Sequence, residues 1–503
     1  MPYSKAPSVS TYESKRITLD YDFAGRNGTN NYDAYLENFM VEYSQPGDKE
    51  KQEVFLKPRP GCVNLTGNYS ANSGRGVYAW QNASGAGFDI IYIVGNGIYS
   101  YNNGPFTPLF TMATSTGTIG FTEYITSVGV SSLVISDGTN LYQISRAYAL
   151  TTITSAQGLP SPHLPYPIFM DGYLFVAKSG TGDIYNCNLD NPFVWSAGDF
   201  ISAEMYPDSL ACLSKNNNYL YAVGQESIEY FYDAGNPTGT PLQRVQGAVQ
   251  QMGTPAPNTV IQTEKEVILV GTTGNGGYTV WALDGFKATE IGTAPVRQRL
   301  ATTINTYSTT VSAMCIRTNG QKLYIIALDT QSLVYSFDTK QWTFWTTIPQ
   351  GSTTPGTFFG VTGTNGNYGS AYIQGTNGAI CQMGISYTTD NNANTFTCNA
   401  VTSRLDFGTI NKKTMSRLTL MGGEEGSSYH LSYNISWNDT DYLSTSWTTP
   451  VAVQFINDFP AITQLGIFRR RAFKLSITPS SISPSPVIFR IDGMEVDINK
   501  GTQ

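Results

Sequence analysis

Short apolar runs broken by Gly and Asn recur along this chain, and they pair into a repeated unit. In the stretch Asn217–Pro237, Leu220, Tyr221, Ala222 and Val223 form an apolar run, Gly224-Gln225 breaks it, and Ile228, Tyr230 and Tyr232 then alternate with Glu229 and Phe231. β-Branched and aromatic residues in period-2 alternation around a turn predict strand, turn, strand. Asn236-Pro237 closes the unit as a turn signal.

The same unit appears six more times. Ile90–Val94 passes through Gly95-Asn96-Gly97 to Ile98–Tyr101, and Leu133–Ile135 through Asp137-Gly138 to Leu141–Ile144. Tyr173–Val176 leads through Ser179-Gly180 to Ile184-Tyr185, and Val267–Val270 through a Gly-rich turn to Tyr278–Leu283. Leu323–Ala327 leads to Leu333–Phe337, and Ala371–Ile373 passes through Asn377-Gly378 to Ile380–Met383. Successive first strands start 40 to 56 residues apart. A lone hairpin cannot bury its apolar face, whereas radial stacking of four-stranded blades can. The pattern predicts an all-β chain centred on a β-propeller of about seven blades over 61–395. A series of β-sandwiches is the competing arrangement.

The flanks differ. Residues 1–60 lack the period and read as an N-terminal segment. It holds a strand or single helical turn over Ala34–Tyr43, a strand at Glu53–Leu56, and the turn Lys57-Pro58-Arg59-Pro60-Gly61 leading into the first blade. Residues 396–503 carry six alternating runs: Arg404–Phe407, Ser416–Met421, Tyr429–Trp437, Val451–Phe455, Arg471–Ile477 and Val487–Val496. They predict a separate C-terminal β-sandwich platform, against which the N-terminal segment is expected to pack. Within the propeller, Val249–Pro257 and Gly351–Phe359 read as loops, with Met252, Pro255, Pro257 and Pro355 at their turns.

Composition agrees with short strands and tight turns. Charged residues make up 13% of the 503, fewer than long amphipathic helices usually carry. A net charge of −7 argues against generic nucleic-acid binding. The six cysteines have no CxxC spacing and only two histidines exist, so neither a zinc site nor a Cys/His nucleophile is expected. Buried reduced thiols are expected instead. The N-terminus has no apolar core segment, and no run approaches the ~20 apolar residues of a membrane-spanning helix. Phosphate loops, GxSxG and HExxH motifs do not occur. Asp89, Asp137, Asp183, Asp190, Glu226, Glu229, Asp284 and Asp338 could supply a glycosidase pair, but most fall in turns, where such side chains accept backbone hydrogen bonds. No enzymatic activity, cofactor or metal is expected.

Two features admit more than one reading. Glu226 and Glu229 beside Tyr230 and Tyr232 could form a recognition face, or simply the faces of a blade strand. Arg469-Arg470-Arg471 with Lys474 could neutralise DNA phosphates or pair with acidic groups of a neighbouring subunit. On an acidic chain the second reading is favoured.

Three ordered stretches, taken together, resemble a known family. They are Lys57–Gly61, Glu226-Ser227-Ile228-Glu229-Tyr230-Phe231, and Leu465–Leu475; Asn38, Met40 and Glu42 add a fourth point of likeness. The set resembles the tail hub, also called the tail nozzle or packaged-DNA stabilisation protein, of short-tailed bacteriophages. The resemblance implies a structural protein of the virion tail, made in the host cytoplasm. Such hubs form a ring of six copies below the portal and adaptor complex. The ring extends and closes the DNA channel, carries fibres, spikes or a needle, and lets DNA pass without sequence-specific binding. Arg469, Arg470 and Arg471 would then fall in the platform, and Glu229, Tyr230 and Phe231 in a blade. Met252, Pro255, Pro257 and Pro355 are candidates for the channel gate. The alternative is a carbohydrate-binding or glycan-degrading propeller of a tail fibre or surface protein.

Overall fold

The computed structural model describes residues 12–19, 34–43, 54–66, 74–81, 87–101, 108–273, 276–307, 311–328, 331–346, 362–366, 370–384, 387–390, 394–425, 430–439, 447–456, 458–479 and 488–500. The chain divides into two compact units. One comprises 63–333 and 356–384; the other gathers 1–62, 334–355 and 385–503.

The first unit is a β-propeller, and each hairpin expected from the sequence forms the middle of a blade. The blades are antiparallel four-stranded sheets such as Gly120–Ile125, Ser131–Ser136, Leu141–Ser145 and Leu150–Ile153, paired in sequence order. The sixth is built on Ser312–Thr318, Gln321–Ala327 and Ser332–Ser336, the last of which runs past the end of this unit at 333. The tight turn Gly95-Asn96 illustrates the local cause: Gly95 at φ 56° occupies the left-handed region that a two-residue hairpin needs. Facing blades bury apolar side chains between them. Ile91 and Ile93 pack with Leu133 and Ile135, and Cys212 and Tyr221 pack with Leu269 and Leu283.

The propeller closes through its ends. The strand Gly61–Asn64 completes the last blade beside Ile380–Gly384, and Leu65 N donates to Ile380 O at 2.8 Å. The buried Gln374 ties that blade to the first: its Oε1 accepts from Gly76 N and its Nε2 donates to Ile93 O, both at 2.8 Å. A closed ring of sheets leaves no long free edge.

One α-helix, Ala294–Tyr307, falls between the fifth and sixth blades and was not expected. Its signals are local and readable. Pro295 lies in the first turn, and Val296, Leu300 and Ile304 recur at the helical spacing and are buried.

The second unit is a β-sandwich made from three separated pieces of chain. One sheet orders Phe39–Tyr43, Val54–Pro58, Ile488–Lys500, Lys413–Glu425 and Ala461–Phe468, with Glu13–Ile17 also paired to Ile488–Lys500. The other includes Trp342–Trp345, Tyr35–Glu37, Cys398–Val401, Ala472–Ile477, Tyr433–Asn438 and Val451–Val453. Leu36, Leu418, Tyr433, Leu475, Phe489 and Val496 lie in the core between them. The sequence boundaries assigned 334–355 and 385–395 to the propeller; both stretches belong to this second unit.

Within the sandwich, the expected strand or turn over Ala34–Tyr43 is two strands. Asn38, at φ 58°, breaks them and lets the chain cross from one sheet to the other. The run Arg404–Phe407 forms only an isolated bridge, Leu405 to Arg471, and Ala461–Phe468 is a strand the alternation did not reveal. A bulge at Gln464–Leu465 breaks its period-2 pattern.

Candidate functional site

The arginine cluster divides sharply. Arg469 is exposed at the end of the edge strand Ala461–Phe468, its Nη1 donating to Ile410 O at 3.3 Å. Arg470 is half-buried, as is Lys474 on the strand Ala472–Ile477. Arg471 is fully buried. Its Nε and Nη2 donate to Asp439 Oδ1 and Oδ2 at 2.6 and 2.7 Å, and its guanidinium lies 4.3 Å from the Phe468 ring centroid. The chain bends at Arg469-Arg470 between two strands, and beyond the bend this side chain turns inward, where a two-point carboxylate contact and a ring face replace water. Arg471 therefore has its partner within its own chain, and the outward-facing charge of the cluster rests on its neighbours.

A second buried arginine holds the sandwich together. Arg59 Nη1 and Nη2 donate to Asp390 Oδ1 and Oδ2 at 3.0 and 2.5 Å, Nε donates to Asn38 Oδ1 at 2.9 Å, and Nη2 donates to Thr346 O at 2.7 Å. The ring of Phe396 lies 3.8 Å from the guanidinium carbon. Burial opposes the charge and the Asp390 carboxylate favours it; the balance holds the Arg59 guanidinium above its ordinary value. Asn38 Nδ2 adds bonds to Thr346 Oγ1 and Thr397 O at 2.9 and 2.8 Å. The turn motif containing Arg59 is thus a fastening between the N-terminal, 334–355 and C-terminal pieces of this unit.

In the fourth blade, Glu229 is 1% exposed. It accepts from Met205 N at 2.8 Å and lies 2.8 Å from Arg244 Nε. Tyr230 and Phe231 are fully buried, while Glu226 is exposed and Tyr232 partly so. The Glu-Tyr-Phe stretch is therefore blade interior, and of these residues only Glu226 and Tyr232 reach the surface.

The loop Val249–Pro257 is an internal connector of the propeller. Met252 is buried among Tyr221, Tyr230 and Leu269. Thr254 N donates to Gly224 O at 3.0 Å and Thr272 N to Gly253 O at 2.9 Å, so the segment bridges two blades. Pro255 and Pro257 are half-buried, Pro257 opening the short helical turn Pro257–Thr259. Pro355 and the loop Gly351–Phe359 lie outside the described residues.

One Ser–His pair at nucleophile–base distance escaped the sequence reading. Ser136 Oγ lies 2.9 Å from His163 Nε2, and His163 Nδ1 lies 3.0 Å from Pro160 O. A carbonyl only accepts, so Nδ1 carries the proton and Nε2 accepts from the serine hydroxyl. Ser136 is 0% and His163 2% exposed, which closes the pair to any substrate. Burial lowers the His163 pKa, against the Pro160 carbonyl and Asp137, which raise it. The cysteines are free thiols, all buried except the half-buried Cys315. Among the described residues, no group of three or more His, Cys, Asp or Glu gathers as a metal site.

The fold is that of a seven-bladed propeller protein with a β-sandwich unit, built from packed strands and structural ion pairs. In sequence, residues 24–379 match the family model described as "Bacteriophage P22 Gp10, beta-propeller". The chain belongs to that family, the tail hub and stabilisation proteins of short-tailed bacteriophages, and is a structural protein of the virion tail. No curated protein matches its sequence. Solved structures similar to it are a streptogramin B lyase (13% identity, TM-score 0.40, covering 69% of this chain and 97% of that one) and virginiamycin B lyase from Staphylococcus aureus (10%, 0.41, 69% and 99%). A third is the β-propeller domain of Myceliophteria thermophila Cps50 (8%, 0.38, 64% and 98%).

Proposed function

We propose that this chain assembles, as six identical copies in a ring below the portal and adaptor complex, into the nozzle that extends and closes the DNA channel of the phage tail. The family match over residues 24–379, which runs from the N-terminal piece of the sandwich into the seventh blade, carries this reading. The ring retains packaged DNA and supports a fibre, spike or needle protein. Copies in cyclic symmetry use one heterologous contact repeated around the axis. A wall of acidic subunits, at −7 each, repels phosphates and lets DNA slide past without sticking. The chain acts by assembly rather than catalysis, and its exposed groups meet protein partners.

The test is the mass and shape of the purified protein, alone and mixed with adaptor-bearing particles, by light scattering and negative-stain imaging. A six-fold ring on the particles is the expected result. A monomer or trimer that ignores the particles and binds or shortens host polysaccharide overturns the proposal in favour of a glycan-directed propeller.

A further inference from the structure

The sandwich contains an open row of four strands in strict antiparallel alternation: Glu13–Ile17, Ile488–Lys500, Lys413–Glu425 and Ala461–Phe468. Among the described strands, the first and last each pair with one neighbour. Among the described residues the row has two free edges, and these run in opposite directions. If a second copy continued the row edge to edge, Glu13–Ile17 of that copy would run antiparallel to Ala461–Phe468. This is the favoured pairing and the one the whole row already uses.

The registers say what would meet. Ile467 pairs with Thr414, and Thr414 with Asn499. Glu13 pairs with Ile498, which puts Tyr12, one residue earlier, level with Asn499. Tyr12 and Ile467 thus end the same cross-strand row, on the same sheet face, at opposite edges. Both are large and exposed, 49% and 66%. An unstaggered continuation brings them together. In the same register Gly466 falls opposite Glu13 of the partner strand. Glu13 is an exposed carboxylate that contacts Lys15 and Lys500 in its own chain.

The edge itself invites pairing. Soluble proteins guard free strands with charges, Pro or bulges. Ala461–Phe468 has no charged residue and no Pro in eight positions, and its single guard is the bulge at Gln464–Leu465.

We infer that successive copies of this chain join head to tail by β-sheet continuation: Ala461–Phe468 of one copy pairs antiparallel with Glu13–Ile17 of the next, and Ile467 packs on Tyr12. The inference rests on the ring reading above and gives it a contact surface. Such a contact is heterologous, and therefore able to close a cycle.

Paired positions in adjacent antiparallel strands have Cα atoms about 4.5–5.5 Å apart, within reach of a disulfide. Both side chains are exposed, so cysteine at either site leaves the core intact. The full chain carrying Tyr12→Cys and Ile467→Cys together is oxidised after assembly on adaptor-bearing particles and run on a non-reducing gel. The expected result is a ladder of multimers ending at the copy number of the ring. Each single variant alone stays monomeric on the gel, and a mixture of the two singles gives dimers and nothing larger. Rings seen by imaging without any cross-link overturn the inference and leave the ring reading standing. Dimers of Ile467→Cys alone also overturn it, because they require a two-fold contact. Absence of rings overturns both.

Discussion

Arg59 and Asp390, 331 positions apart in the chain, form a fully buried ion pair joined by two hydrogen bonds. Around it Asn38, Thr346 and Phe396 draw three separate pieces of sequence into one sandwich. Removing one charge leaves the other stranded in the core.

Arg59→Ala or Asp390→Ala is each expected to destabilise the sandwich by about 3–5 kcal/mol, the usual cost of an uncompensated buried charge. Arg59→Ala combined with Asp390→Ala is expected to cost less than the sum of the singles, because both charges leave together. Urea unfolding of the three variants measures this. Strictly additive losses would mean that the two residues do not act as a pair.

The adjacent arginines are expected to behave differently. Arg471→Ala removes a buried guanidinium from Asp439 and Phe468 and should cost about 2–4 kcal/mol. Arg469→Ala, at the surface, should change stability by no more than about 0.5 kcal/mol. Thermal denaturation of the two proteins side by side decides it; equal losses would contradict the inward placement of Arg471.

His163 makes the propeller sensitive to acid. Its folded pKa is lowered by burial, so below the ordinary value of about 6.5 the unfolded chain takes up a proton that the folded chain refuses. Stability from this group is fully present above that pH and is lost as pH falls through the depressed folded value. The side chains facing it are Ser136 at hydrogen-bond distance and the Asp137 carboxylate, whose attraction for the imidazolium limits the loss. Denaturation midpoints between pH 7 and 5 should fall more steeply for the natural chain than for His163→Gln. Parallel curves would remove His163 from the account.

How far each feature could be read from the chain follows its range. Gly95-Asn96 and Asp137-Gly138 turn their hairpins through contacts a few residues long, and the apolar runs beside them alternate locally, so the middle of each blade was legible. The helix Ala294–Tyr307 had equally local signals in Pro295 and in Val296, Leu300 and Ile304. Its three Thr and one Asn, weak helix formers, obscured them. At the candidate sites, sequence found the charged cluster but not its directions. Arg471 and Arg469 are equivalent as residue types, and only the bend between two strands sends one to Asp439 and leaves the other outside.

The sequence by itself determined the repeated hairpins, and with them the propeller, because period and turn chemistry act between neighbours. The tertiary structure decided that 334–355 joins the sandwich, that Gly61–Asn64 completes the last blade, and that Glu229 and Tyr230 are interior. Those outcomes depend on pairings across hundreds of residues, such as Leu65 with Ile380 and Arg59 with Asp390. Closing such long loops is repaid only by the assembled core, and no local pattern records which distant strand will be there to receive each edge.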